Sequence, residues 1–253
     1  MRAATYAAEA EVEEYHWWFA GRRKLFARII KKMATPRDAA ILDVGSSTGT
    51  NLRMLRDAGF TSFQGVDISP ESQYFCNAKG LGPVELGSIL DLPHPDSSFD
   101  LVLATDVIEH IDDDLAAIGE LRRVLRPGGL ALITVPAFEC LWGPQDVVAE
   151  HKRRYRIHNL QDTIKRARLE IVERYYFNFI LFLPILFARK ALRLLSVPIR
   201  SENDLNFGLM NAVLRAVFEI DTRSAAAINP PFGVSILALC RKPSLPAAPT
   251  NPT

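Results

Sequence analysis

Two glycines and an aspartate carry the first chemical signal in this chain. Gly45 and Gly49 bracket the loop Gly45-Ser46-Ser47-Thr48-Gly49, which follows the short apolar run Ile41-Leu42-Asp43-Val44 and opens onto Asn51–Ala58, a segment of helical pattern. Asp67 ends the next apolar run, Phe63–Asp67, 22 positions after Gly45. In nucleotide-binding α/β folds an acid about 20 positions beyond the loop reaches the ribose hydroxyls, and glycine lets the backbone approach the ligand with no Cβ in the way. Ser47 and Thr50 stand where a dinucleotide loop has glycine. Close passage of a pyrophosphate is therefore disfavoured, while a nucleoside cofactor without phosphate is accommodated.

Two further groupings could do chemistry. Asp106-Val107-Ile108-Glu109-His110 sets carboxylates beside a histidine, donors that suit several divalent metals. No second histidine stands nearby in the chain, so the expectation is no metal, with the Glu-His pair ordering the start of the next helix. Trp142–Tyr155 gathers Asp146, Glu150, His151, Arg153, Arg154 and Tyr155 after the fifth expected strand, at the sheet edge where open α/β folds place ligands. It reads either as an acceptor-recognition insertion, with His151 able to deprotonate a hydroxyl, or as a solvated charged connector. His94, between prolines, reads as a loop residue.

These groups need a scaffold, and the elements can be read from the pattern. Glu14–Met33 reads as one helix, aromatic at its start (Trp17, Trp18, Phe19) and basic after; its aromatics either close over the site or pack the helix on the core. Strands are expected at 41–44, 63–67, 84–87, 99–105, 130–135, 169–177 and 232–240. Ser69-Pro70-Glu71 reads as a helix start. Asp112–Leu125 carries acids at its start, arginines at its end and Leu115, Ile118, Leu121 and Leu125 on one face. Pro127-Gly128-Gly129 stops it, irregular chain runs from Pro136 to Asn159, and a helix follows over 160–167. Strands alternating with helices predict a mainly parallel sheet covered on both faces. The apolar run Tyr175–Ala188, interrupted by Pro184, is shorter than the roughly 20 residues of a membrane span. Its flanking Arg174, Arg189, Lys190 and Arg193 leave open a lipid-facing role, a dimer contact or a cover for the sheet. A polar linker is expected at 201–206 and a proline-rich extended tail from 243 to 253.

At 253 residues, one domain with appended elements is expected. Thirty basic against 29 acidic residues give no field for a polyanion, so no nucleic-acid partner is expected. Cys76, Cys140 and Cys240 are far apart and form no CxxC pair, which argues against a disulfide framework or a zinc site and suits a reducing cytoplasm. Glu9, Glu11, Glu13 and Glu14 depart from the basic-then-apolar pattern of a secretory leader.

The segments ILDVGSSTGTNLRML, GVDIS, LDLPHPDSSFDLVLATDVIEHI and ELRRVLRPGGLALITVP resemble the successive motifs of class I S-adenosylmethionine-dependent methyltransferases of the type 11 group, over about residues 39 to 136. YHWWFAGRR, HKRRY and PPFGVSILALCRK are similar to features of bacterial members often found among glycan and lipid biosynthesis genes. The resemblance implies a Rossmann-like, mainly parallel seven-stranded sheet with helices on both faces and the last strand antiparallel. An N-terminal helical lid would span 1–38, the cofactor domain 39–242, an acceptor insertion 137–157 and an apolar helical insertion 175–220. It also implies S-adenosylmethionine as cofactor, with Asp43, Gly45, Ser46 and Gly49 at its methionine part, Asp67 on the ribose hydroxyls and Ile68 on the adenine. Ser88 and Ile89 would stand at the adenine edge, and Thr105 and Asp106 near the transferable methyl. Ser46-Ser47 depart from the family's usual cysteine-glycine, which bears on cofactor affinity. The expected reaction is direct methyl displacement to a small-molecule acceptor, lipid- or glycan-linked acceptors included. The expected location is cytoplasmic, with a peripheral contact at the inner membrane face left open. Two rivals stand beside it: a nucleotide-dependent oxidoreductase, disfavoured by Ser47 and Thr50, and a membrane-associated binding protein with a non-catalytic methyltransferase-like fold.

Overall fold

The computed structural model describes residues 3–194 and 208–244, so the expected 201–206 linker and the tail beyond 244 lie outside the described residues. Two helices open the chain, α1 (Ala3–Val12) and α2 (Trp17–Lys32). The helix expected over Glu14–Met33 begins at Trp17, and a further helix, α1, precedes it. His16 takes an extended backbone, and its Nδ1 accepts the Trp18 N–H at 3.3 Å, so α2 starts on a side-chain cap. The alternating body follows: β1 (Ile41–Val44), α3 (Thr50–Asp57), β2 (Phe63–Asp67), α4 (Pro70–Ala78), β3 (Val84–Leu86), β4 (Phe99–Thr105), α5 (Asp114–Val124) and β5 (Leu125–Pro136). Then come α6 (Pro144–Val148), α7 (Ile157–Arg166), β6 (Glu170–Phe177), α8 (Phe182–Leu194), α9 (Gly208–Ile228) and β7 (Ser235–Arg241).

The seven strands form one sheet in the order β3-β2-β1-β4-β5-β7-β6, parallel from β3 to β5, with β7 antiparallel to both β5 and β6. Leu42, Val102 and Ile133 pack on one face against Ile118, Leu121 and Ile164 of α5 and α7. Ile41, Leu101 and Leu132 pack on the other against Phe26, Ile30 and Phe218 of α2 and α9. Both faces are covered, as near-continuous apolar strands require. Because the central strands run parallel, their carboxyl ends deliver the Gly45 loop, Asp67, Asp106 and the segment after Pro136 to one rim.

Local outcomes differ from the pattern where long-range pairing decides. β5 begins at Leu125, because Gly128 and Gly129 bond to Lys242 just past β7. The expected irregular chain after Pro136 contains a 3₁₀ turn, Glu139–Leu141, and α6. Ser69 precedes α4, but its hydroxyl turns to the Glu71 carboxylate instead of capping the helix. The apolar run is divided: Tyr175–Phe177 belong to β6, Asn178 turns with φ +58°, and α8 starts at Phe182. Asp221 of α9 fixes that turn by accepting the N–H groups of Asn178 (2.6 Å) and Ile180 (2.8 Å). Pro184 falls in the first turn of α8, where its missing N–H costs nothing, so it does not interrupt the element. Among the described residues no helix is long and apolar enough to cross a membrane.

α2 crosses α9 at Gly21, where an added Cβ would come 2.3 Å from Phe218 Cδ1. Phe218 is fully buried, so the ring has nowhere to retreat. Gly21→Ala is therefore expected to lower stability by about 1–3 kcal/mol through overpacking, despite alanine's better helix propensity. Urea unfolding measures it, and an unchanged or raised midpoint would contradict this packing.

Candidate functional site

The loop after β1 turns on two left-handed glycines, Gly45 (φ +74°) and Gly49 (φ +89°). A Cβ on Gly45 would meet Val107 at 2.5 Å, so glycine is needed there for packing as well as for φ. Ser47 also lies in the left-handed region (φ +48°), and its backbone N–H donates to Asp67 Oδ2 at 2.8 Å. Its hydroxyl donates to Glu9 of α1 at 2.9 Å. The serine that departs from the family pattern is thus held by the N-terminal helix.

Asp67 ends β2, buried, and its Oδ1 accepts the Ser69 N–H (2.9 Å) and the Tyr6 hydroxyl (3.0 Å). A carboxylate offers about four acceptor directions. Three are filled by protein, leaving one for a ribose hydroxyl and a second where Tyr6 now sits. Asp43 lies beneath the loop; its Oδ1 accepts from Asn51 Nδ2 (2.8 Å), and its buried Oδ2 has no hydrogen-bond partner. Asn51 also donates to Thr105 Oγ1 (3.0 Å), tying the helix start to the end of β4. Asp106, in left-handed backbone (φ +58°), pairs with Arg22 at 2.6 Å and accepts from Thr134 Oγ1 at 3.1 Å.

A cavity of about 530 Å³ opens along this loop. Gly45, Ser46, Thr105 and Asp106 line one end, and Glu109, His110 and His151 a polar wall beyond them. Trp18, Leu181, Ile185 and Leu214 form an apolar wall from α2, the chain before α8, α8 and α9. Trp18 lines the cavity and packs on Phe177 and Phe218, so the aromatic start packs its helix onto the core. Asp43 and Gly49 brace the loop without lining the cavity. The expected adenine-side residues lie outside it. Ile68 is 75% exposed, Ser88 sits in a tight bridge with Asp91, and Ile89 is buried in the core.

The segment after β5 is held by buried charged pairs. His151 Nδ1 bonds to Asp146 Oδ1 at 2.8 Å, and Arg154 grips both oxygens of that carboxylate at 2.8 and 2.9 Å. Burial alone would raise the Asp146 carboxyl, but the bonds from His151, Arg154 and the Gly143 N–H hold it down, to about 2. Burial, then the neighbouring His151, hold the His110 imidazole down to about 4. Glu109, fully buried, is pushed well above the usual carboxylate range by burial and then by Asp106.

Tyr6, Glu9, Arg22 and Asn51 were not singled out in the sequence. Tyr6 and Glu9 of α1 and Glu13 just past its end recur at spacings of three and four and reach Asp67, Ser47 and Thr48 from one side. That spacing was the available signal.

The residues present fit S-adenosylmethionine. The Asp67 carboxylate keeps acceptor capacity for the ribose, an orphaned acid oxygen lies under the loop, and the acids Glu9 and Asp106 line the cavity. Burial raises two carboxyls here, Asp43 from 3.8 and Glu9 from 4.5, each to about 7. Because the folded state holds these protons more tightly, the contribution of these two groups to unliganded stability is full below about pH 4 and is lost as pH rises through 7. A ligand bearing positive charge offsets the loss. S-adenosylmethionine is accordingly expected to bind more tightly at pH 7.5 than at pH 6, and S-adenosylhomocysteine, with its neutral sulfur, to change less. Calorimetry at the two pH values checks this; equal shifts for both ligands would contradict it.

Residues 42–133 match the methyltransferase domain family model. An O-methyltransferase of Aspergillus nomiae is 34% identical over 113 residues, 42% of this chain and 50% of that protein. A probable S-adenosylmethionine-dependent methyltransferase of Mycolicibacterium smegmatis is 30% identical over 124 residues, 49% of this chain and 47% of that protein. The chain thus spans about half the length of these curated relatives. Among solved structures, the [4+2]-cyclase SpnF matches with a TM-score of 0.59 at 22% identity, over 88% of this chain and 81% of that one, a likeness of fold alone. Residues 42–133 thus carry a methyltransferase domain, similar to that of S-adenosylmethionine-dependent methyltransferases.

Proposed function

We propose that the protein transfers a methyl group from S-adenosylmethionine by direct displacement to a small, partly apolar acceptor, lipid- or glycan-linked acceptors included. One observation carries the reading: a single cavity joins the Gly45–Asn51 loop to an apolar wall of α2, α8 and α9. The bound sulfonium supplies an already activated methyl. The protein's own work is orientation and exclusion of water. Asp67 fixes the ribose, the loop and Thr105 set the methionine end, and Trp18 and Ile185 flank the acceptor's apolar part. His151, oriented by Asp146, meets its polar end.

The helices of the apolar wall also carry apolar surface outside the cavity. Leu183 and Phe187 of α8 and Leu209 and Val213 of α9 are all more than half exposed. Such a patch suits an acceptor that arrives from a lipid phase, with Lys190 beside it for anionic headgroups. Phe182, in contrast, is buried against Leu141 and Val234, so the exposed pair Leu183 and Phe187 is the one to change.

The test is transfer of radiolabelled methyl from S-adenosylmethionine in the presence of lipid and sugar extracts. Label entering the organic phase, reduced by Leu183→Asp with Phe187→Asp while cofactor binding is kept, supports the reading. Cofactor binding without any S-adenosylhomocysteine formed across the extracts favours the non-catalytic alternative.

A further inference from the structure

Three groups in the cavity wall are left unused by the cofactor site. Glu109 and His110 sit in the 3₁₀ turn Ile108–His110 after β4, and His151 arrives from the turn after α6. Glu109 is fully buried, and neither of its carboxylate oxygens has a hydrogen-bond partner. Leaving a buried carboxyl unsatisfied costs several kcal/mol on general grounds, so this orphan calls for a ligand or a proton. One donor atom from each of Glu109, His110 and His151 lies within 4.8 Å of the others. The two imidazoles stand nearly perpendicular, at 83° with centroids 4.7 Å apart, and His151 Nε2 is 3.8 Å from Glu109 Oε1. The expectation of no metal rested on the lack of a second histidine; the fold supplies His151 from 41 positions beyond His110.

We propose that Glu109, His110 and His151 hold one divalent first-row transition-metal ion, open on its remaining side to the cavity. Metal–ligand bonds of about 2.0–2.2 Å place donors roughly 3–4 Å apart, so these three need to draw in by less than about 2 Å. Two imidazoles and a carboxylate suit zinc, cobalt, iron or manganese better than calcium or magnesium, whose ligands are oxygens. Three protein ligands leave a position vacant, as in catalytic rather than structural sites. The outer partners are present. His151 Nδ1 bonds to Asp146, which Arg154 holds, and His110 has a hydrogen bond with the Glu150 backbone. Arg22 and Arg154 act on Glu109 from nearby, but each is paired with its own carboxylate, Asp106 and Asp146. The chemistry such an ion supplies is acidification of an acceptor hydroxyl, in place of His151 acting as a free base. That use rests on the methyl-transfer reading; the binding of metal does not.

The test uses the whole chain, stripped with chelator and titrated with zinc, cobalt and manganese chlorides by calorimetry, with cobalt absorption as a spectroscopic readout. The expected result is one ion per chain at micromolar concentration and a cobalt spectrum of low-symmetry nitrogen–oxygen coordination. Glu109→Gln, which keeps shape and removes charge, and His151→Asn should each weaken binding by more than the roughly 10–100-fold that loss of an outer partner costs. S-adenosylhomocysteine binding, kept in both variants, reports that they are folded. Wild type that takes up no ion, or variants that bind as tightly as wild type, would overturn the proposal. Loss of S-adenosylhomocysteine binding from wild type with metal retained would count against the methyl-transfer reading alone.

Discussion

Asp67→Ala is expected to weaken S-adenosylmethionine and S-adenosylhomocysteine alike, by about 10- to 150-fold. The carboxylate ends β2 at the rim and keeps acceptor capacity after bonding to Ser47, Ser69 and Tyr6. Hydrogen bonds to a charged group are worth about 1.5–3 kcal/mol net, and that range sets the fold-change. Both ligands carry the same ribose, so both should lose the same amount, whereas a change at the sulfur end would separate them. The substitution also unties the Ser47 N–H and Tyr6, which positions the loop and α1 through the same carboxylate. Tyr6→Phe, which removes only the protein's own claim on Asp67, serves as the control. Calorimetry in which Asp67→Ala binds like wild type would remove the ribose from this strand end.

Arg154→Met is expected to destabilise the fold by about 3–5 kcal/mol, because it strands a buried carboxylate. Asp146 is fully buried, and Arg154 bonds to both of its oxygens while also donating to the Ala137 carbonyl at 3.0 Å. Arg189 reaches the same carboxylate only at 3.8 Å. For a chain of this size the loss corresponds to about 6–20 °C in Tm. Asp146→Asn with Arg154→Met, which removes both charges, should recover part of it. A single variant melting within a degree or two of wild type would show that the pair carries no such weight. The comparison matters for function because this pair is what orients His151.

How much of this could be read beforehand follows from how local each feature is. The Gly45 loop and Asp67 sit within one strand–helix–strand unit, so spacing alone located them, and the alternation of elements gave the sheet. Residues 137–157 could be recognised as a segment with chemical potential, but the roles within it could not. His151 was visible as a histidine; that Asp146 and Arg154 fix one side of it and Glu109 faces the other depends on a fold that joins positions 42 apart. α1 was missed for a different reason. Its Ala- and Glu-rich stretch shows no apolar stripe, because its inward residues are the polar Tyr6 and Glu9, which with Glu13 just past its end meet a polar loop. The apolar run misled because hydropathy is blind to the turn at Asn178, which is set by Asp221 far along the chain.

The central claim is that one cavity receives the methyl-bearing end of the cofactor at the Gly45 loop and an acceptor from the α8–α9 side. A crystal structure with S-adenosylhomocysteine tests it most directly. The account predicts the ribose hydroxyls on Asp67, the adenine over Ile68, and the sulfur facing the space between Trp18, Asp106 and Ile185. A ligand bound elsewhere, or one whose sulfur points away from that space toward solvent, would contradict it.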